Sequence, residues 1–143
     1  MTLHPLAERL ITQHGAQPIT LQTLDDWLAH DGDQVLFFSG DPVRFGEVLD
    51  VAVVLPELRA AFRGRFDIGL IAREHEDTLA KRFGVQRWPS LVFVRDGAYL
   101  GTLAGMQDWD VYLDALRALL AREPGRRPAP TIAIRAAEGT GCR

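Results

Sequence analysis

The chain has 143 residues, with 16 Lys+Arg against 19 Asp+Glu and a formal net charge of −3. At 47% hydrophobic and 24% charged, this is the ordinary composition of a globular chain, and the length is that of one domain. No basic stripe suited to a nucleic-acid backbone occurs and no apolar run approaches membrane-span length, while the single cysteine, Cys142, permits neither an internal disulfide nor a Cys-x-x-Cys site.

Met1-Thr2-Leu3-His4-Pro5 carries no basic and apolar signal regions, so a cytoplasmic address is expected. Helical spacing begins at about Leu6 and runs to His14, with Gly15 as a C-terminal cap. Residues 16–19 read as a short strand that Pro18 confines to a sheet edge. Thr20 is expected to cap a helix over Leu21–His30, with Leu21, Leu24, Trp27 and Leu28 on its apolar face. After an Asp31-Gly32-Asp33 turn, Val35-Leu36-Phe37-Phe38 has the unbroken apolar pattern of a central strand covered on both faces.

Ser39-Gly40-Asp41-Pro42 breaks that strand, and residues 43–51 carry an ambiguous pattern. Leu55, Leu58 and Phe62 then keep helical spacing around Pro56, an expected kink. Phe66–Leu70 alternates like a strand. Glu74–Phe83 reads as a short helix stopped by Gly84. Ser90–Val94, the Asp96-Gly97 turn and Ala98–Leu103 form a predicted hairpin. Asp108 is expected to cap a last helix whose stripe is Trp109, Tyr112, Leu113, Leu116, Leu119 and Leu120. The order implies an α/β fold, with a mixed β-sheet, helices on both faces and an extra N-terminal helix.

This order, together with Phe83-Gly84-Val85-Gln86-Arg87-Trp88-Pro89-Ser90-Leu91-Val92 and the Asp96-Gly97 turn, resembles thioredoxin. The resemblance puts Pro89 at that fold's cis-proline and Pro56 at its helix-kinking proline. It puts the redox motif on Val48-Leu49-Asp50-Val51 and the central-strand carboxylate on Leu36. Thiol–disulfide exchange needs a thiolate, and neither position 48 nor position 51 carries sulfur, so the resemblance implies a redox-inactive relative. A single thioredoxin-like domain over 1–122 and a mobile tail over 123–143 are expected.

A closer likeness lies in the helix-first N-terminus, Leu24-Asp25-Asp26-Trp27-Leu28, the long loop Ser39-Gly40-Asp41-Pro42-Val43-Arg44, Arg82-Phe83-Gly84-Val85 and Gly105-Met106-Gln107-Asp108-Trp109. These segments resemble the HyaE/HupG/HoxO group of [NiFe]-hydrogenase maturation accessory proteins. That resemblance implies a non-catalytic chaperone without a cofactor. Its implied partner is the hydrogenase small-subunit precursor with its twin-arginine signal peptide, held before export; a second accessory protein is left open as a further partner. Nucleic-acid binding and membrane insertion are not expected. The alternatives are a thiol–disulfide oxidoreductase-like protein using Cys142 and a generic thioredoxin-fold interaction module.

The candidate peptide-binding residues are Trp88 and Pro89, where the parent fold pairs with an extended peptide, and the carboxylates Asp41, Glu47, Asp50 and Glu57 around the long loop and helix start. Carboxylates match guanidinium groups bidentately, and an indole stacks on them. The bland alternatives are a Trp in the core and a solvated acidic face. Asp25-Asp26 and Glu74-His75-Glu76-Asp77 read as helix starts and surface. His4, His14, His30 and His75 lack metal-ligand spacing. Ser39 and Ser90 lack a nucleophile elbow, and no phosphate-cradling loop occurs.

Overall fold

The computed structural model describes residues 5–40 and 47–122, without the side chains of residues 6, 7 and 47–49. In chain order the elements are α1 (Pro5–His14), β1 (Gln17–Ile19), α2 (Leu24–Leu28), β2 (Asp33–Phe38) and α3 (Glu47–Ala61). They continue with β3 (Phe66–Ile71), a 3-10 turn (Arg73–His75), α4 (Glu76–Phe83), β4 (Ser90–Arg95), β5 (Ala98–Ala104) and α5 (Trp109–Ala121).

The strands make one sheet in the order β1-β3-β2-β4-β5. β1 and β2 pair parallel with β3, and β4 is antiparallel to both β2 and β5. β1, the strand with Pro18, lies at an edge, where the missing N–H costs no ladder bond. Asp96 (φ 52°) and Gly97 (φ 82°) are both left-handed, joining Arg95 to its ladder partner Ala98 by the primed two-residue turn that matches strand twist.

Because side chains alternate along a strand, the sheet feeds two cores. Val35, Phe37, Leu91 and Phe93 meet α1, α3 and α5 on one face, through Leu10, Leu55, Leu58, Tyr112 and Leu116. Leu36, Phe38, Val92 and Val94 meet α2 and α4 on the other, through Leu24, Trp27, Leu79 and Phe83. Edge-to-face ring pairs occur in both, Phe66–Phe93 at 5.5 Å and Phe38–Phe83 at 6.2 Å between centroids, a geometry that adds about 0.5–1.5 kcal/mol beyond area burial. This mixed sheet with helices on both faces is the thioredoxin-like architecture.

Several local expectations change. Thr20 makes the capping bonds expected of it, its Oγ1 accepting the Gln22 and Thr23 N–H groups, but the segment it caps is a turn: α2 begins only at Leu24, and Leu21 projects outward, 42% exposed. Trp109 is the first residue of α5 and is also 42% exposed; the packed stripe starts one turn later at Tyr112. Asp108 holds the cap position without a side-chain cap bond. Residues 47–61 are helical, with Pro56 inside the helix.

Asp33 belongs to β2, not to the preceding turn. It is buried because Arg95 takes both of its oxygens (Nε–Oδ1 2.6 Å, Nη2–Oδ2 3.1 Å) and Arg65 takes Oδ2 at 2.7 Å. Both guanidiniums also donate to the Leu120 carbonyl, which fastens the end of α5 to the sheet. Burial pushes the Asp33 carboxyl up, and the two arginines outweigh it, so it is held below the ordinary range. Residues 123–143, with Cys142, lie outside the described residues.

Candidate functional site

The two strand-to-loop junctions at one end of the sheet, Ser39-Gly40 after β2 and Gly105 after β5, flank the segment that enters β4. That segment carries Trp88 and Pro89, and the peptide bond between them is cis, as the resemblance implies. Trp88 is partly buried and packs against the α2–α4 core. Its indole lies directly over Gly40. A Cβ on Gly40 would sit 2.6–2.9 Å from Trp88 Cδ1, Cβ and Cγ, and Gly40 has φ +75°. Only glycine therefore fits there without moving the ring.

Pro89 is buried, and its carbonyl accepts the Gly105 N–H at 2.7 Å. Among the described residues, neither the N–H nor the C=O of Trp88 has a hydrogen-bond partner. The main chain is thus closed at Pro89 and open one residue earlier. Unpaired groups next to a sheet end are a template for an added strand.

Beneath Gly40 lies a residue that sequence reading assigned to the surface. Glu76, first in α4, is 5% exposed. Its Oε2 accepts the Gly40 N–H at 2.9 Å and faces the Ser39 hydroxyl at 3.5 Å, and its Oε1 faces Arg73 Nε at 3.5 Å. Burial raises its carboxyl above the ordinary range; the Gly40 N–H, Arg73 and Ser39 only partly offset this. The signal was present in the sequence. Glu76 shares spacing with Leu79, Ala80 and Phe83, which puts it on the buried face of α4.

The proposed carboxylates are placed unevenly. Asp50 is exposed in the first turn of α3, and Glu57 is exposed farther along. At 1.5 Å rise per residue Glu57 stands about 10 Å along the axis from Asp50. Asp41 and the Glu47 side chain lie outside the described residues, as do the Val48 and Leu49 side chains. Leu36 is fully buried in the α2–α4 core. Among the described residues no three His, Cys, Asp or Glu side chains gather as a metal site would require, and no helix is long and apolar enough to cross a membrane.

Comparison with known proteins identifies the family. Residues 6–112 match the family model described as hydrogenase-1 expression protein HyaE. The chain is 55% identical over 141 residues to the hydrogenase expression/formation protein HoxO of Cupriavidus necator, covering 96% of this chain and 88% of that protein. It is 44% identical over 128 residues to HupG of Bradyrhizobium diazoefficiens, covering 87% and 86%. A crystal structure of a hydrogenase expression/formation protein HupG from Rhodopseudomonas palustris superposes with a TM-score of 0.53 at 48% identity, covering 73% of this chain and 95% of that one. A match over most of the chain, at identities this high and on this fold, places the protein in the HyaE family of hydrogenase expression proteins.

Proposed function

We propose that this protein is a non-catalytic chaperone of [NiFe]-hydrogenase maturation that holds the small-subunit precursor in the cytoplasm through its twin-arginine signal peptide. The observation that supports this reading most is the open main chain of Trp88 beside the closed Pro89 carbonyl. An extended segment adds there through backbone hydrogen bonds, and Trp88, braced on Gly40, offers its ring to a guanidinium. Asp50, in the first turn of α3, together with Asp41 and Glu47, supplies carboxylates for the arginines.

Exposed ion pairs contribute only about 0–1 kcal/mol each. A guanidinium over an indole adds about 0.5–2 kcal/mol. Capture by these groups is therefore modest, reversible and weakened by salt, which suits a holding step before export. Positions 48 and 51 are valines, so the mechanism needs no thiol, and the chain's sole cysteine is Cys142.

The test is a pull-down from cells expressing the small-subunit precursor with and without its signal peptide. Capture of the full precursor but not of the truncated one is the expected result. Equal capture of both refutes signal-peptide recognition and favours an interaction module that reads the folded subunit.

A further inference from the structure

On the side of the turn opposite Trp88 stands a cation that the proposed function does not use. Arg87 is exposed, and its guanidinium lies flat on Gly105: a Cβ there would meet Nη2 at 3.0 Å, Cζ at 3.1 Å and Nε at 3.3 Å. Three atoms at nearly one distance describe a planar group resting on a backbone platform. The platform itself is fixed. Gly105 donates its N–H to Pro89 at 2.7 Å and accepts the Tyr112 hydroxyl at 2.8 Å, and it has φ +75°. The Arg87 carbonyl is held too, accepting the Ser90 hydroxyl at 2.6 Å.

Yet among the described residues the Arg87 guanidinium has no carboxylate or carbonyl partner. Arg59, Arg65, Arg73, Arg82, Arg95 and Arg117 each meet a carboxylate. A guanidinium that rests on a fixed backbone surface without a paired acceptor presents its donors to a ligand. Its donor fork fits a carboxylate bidentately.

We propose that Arg87 is a specificity-determining residue that reads a carboxylate in the captured segment, on the β5 side of the turn. The proposal rests on strand addition at Trp88. Successive side chains of an added strand point to opposite sides. Trp88 packs towards Gly40 and Arg87 towards Gly105, so the ligand is two-sided, with a basic side chain on the Trp88 side and an Asp or Glu on the Arg87 side. The carboxylate then stands an odd number of residues from the arginine that stacks on Trp88. The same cation repels an arginine placed on its side, which fixes the register of the pair.

The test uses two synthetic ten-residue peptides that carry adjacent arginines and differ only in Glu or Gln immediately before the pair. Fluorescence anisotropy measures their binding to the full chain and to R87M and R87E. A third, arginine-free peptide with one central Glu is titrated while the Arg87 Nε–H resonance is followed by NMR. The expected results are about a fivefold preference of the wild type for the Glu peptide, loss of that preference in R87M, and its reversal in R87E. Saturable movement of the Arg87 Nε–H by the third peptide is expected as well. Equal binding of the Glu and Gln peptides to the wild type, or a Glu preference that survives R87M, overturns the role of Arg87 while leaving peptide capture standing. Failure of both twin-arginine peptides to bind, with saturable movement of Arg87 by the acidic one, overturns twin-arginine capture and leaves Arg87 as a carboxylate reader. No response to any of the three overturns both.

Discussion

Replacing Asp33 by Asn keeps the shape of the side chain and removes the charge that two arginines share. The carboxylate is 6% exposed and makes three contacts between 2.6 and 3.1 Å, two with Arg95 and one with Arg65. These are not additive. The Arg65 side chain is 48% exposed and regains water when its partner is lost, whereas Arg95 keeps the carbonyls of Leu120 and Arg122. The loss is therefore close to that of one buried pair with one partner removed, about 3 kcal/mol. For a chain of this length that lowers the Tm by about 10 °C.

The pH dependence follows from the direction of the shift. Asp33 titrates below its ordinary value in the folded protein, so its stabilisation is complete above the unfolded value of 3.8 and is lost as pH falls through the lower folded value. Urea denaturation at neutral pH and at a series of acid pH values measures both effects. The gap between wild type and D33N is expected to hold from neutral pH down to the unfolded value and to close below it. A loss under about 1 kcal/mol at neutral pH, or a gap unchanged in acid, refutes the claim that this network fastens α5 to the sheet.

Three further outcomes are expected. Glu76 has the opposite sign, since its folded value lies above 4.5; the stability it contributes is complete below pH 4.5 and falls as pH rises through the folded value. E76Q, which keeps an acceptor for the Gly40 N–H, should unfold in urea at neutral pH no more easily than wild type and show a flatter pH profile above 4.5, whereas E76L should be destabilised at every pH. G97A places a Cβ 2.6 Å from the Leu28 carbonyl oxygen at φ +82° and should cost about 1–3 kcal/mol by thermal unfolding, because the obstacle is backbone. In an insulin-reduction assay the wild type and C142S should both stay at background; turnover that C142S removes would restore an oxidoreductase reading.

What was legible in the sequence divides along physical lines. Strands declared themselves through apolar runs such as Val35–Phe38, and the Asp96-Gly97 dipeptide specified its own turn because few residue pairs adopt left-handed backbone twice in succession. Helix starts were harder. Thr20 and Asp108 look like caps, but the first caps a turn that precedes the helix and the other makes no side-chain cap bond, since tertiary packing decides where the first turn begins. Trp109 obeys helical spacing and is nevertheless exposed, because spacing gives a face and not the extent of the sheet beneath it.

The candidate site divides in the same way. Trp88 and Pro89 stand out as a motif. Glu76 was hidden in a run of acidic residues whose composition says surface and whose period says core. Arg87 carries no sequence signal at all. Its meaning comes from Gly105, 18 residues away in the chain, and only the fold places that glycine under the guanidinium.

The central claim is that an extended twin-arginine segment adds at Trp88. Backbone amide NMR of the full chain during titration with the signal peptide tests it most directly, with W88A alongside. The account predicts that the Trp88 amide and those of Arg87 and Ser90 on either side of Pro89 shift most, and that the Trp88 amide gains protection from hydrogen exchange. It also predicts weaker binding in W88A and on raising salt towards 1 M, where screening lengths fall to about 3 Å. Saturable binding that leaves residues 87–90 unmoved and is indifferent to W88A would contradict it and place the site elsewhere on the molecule.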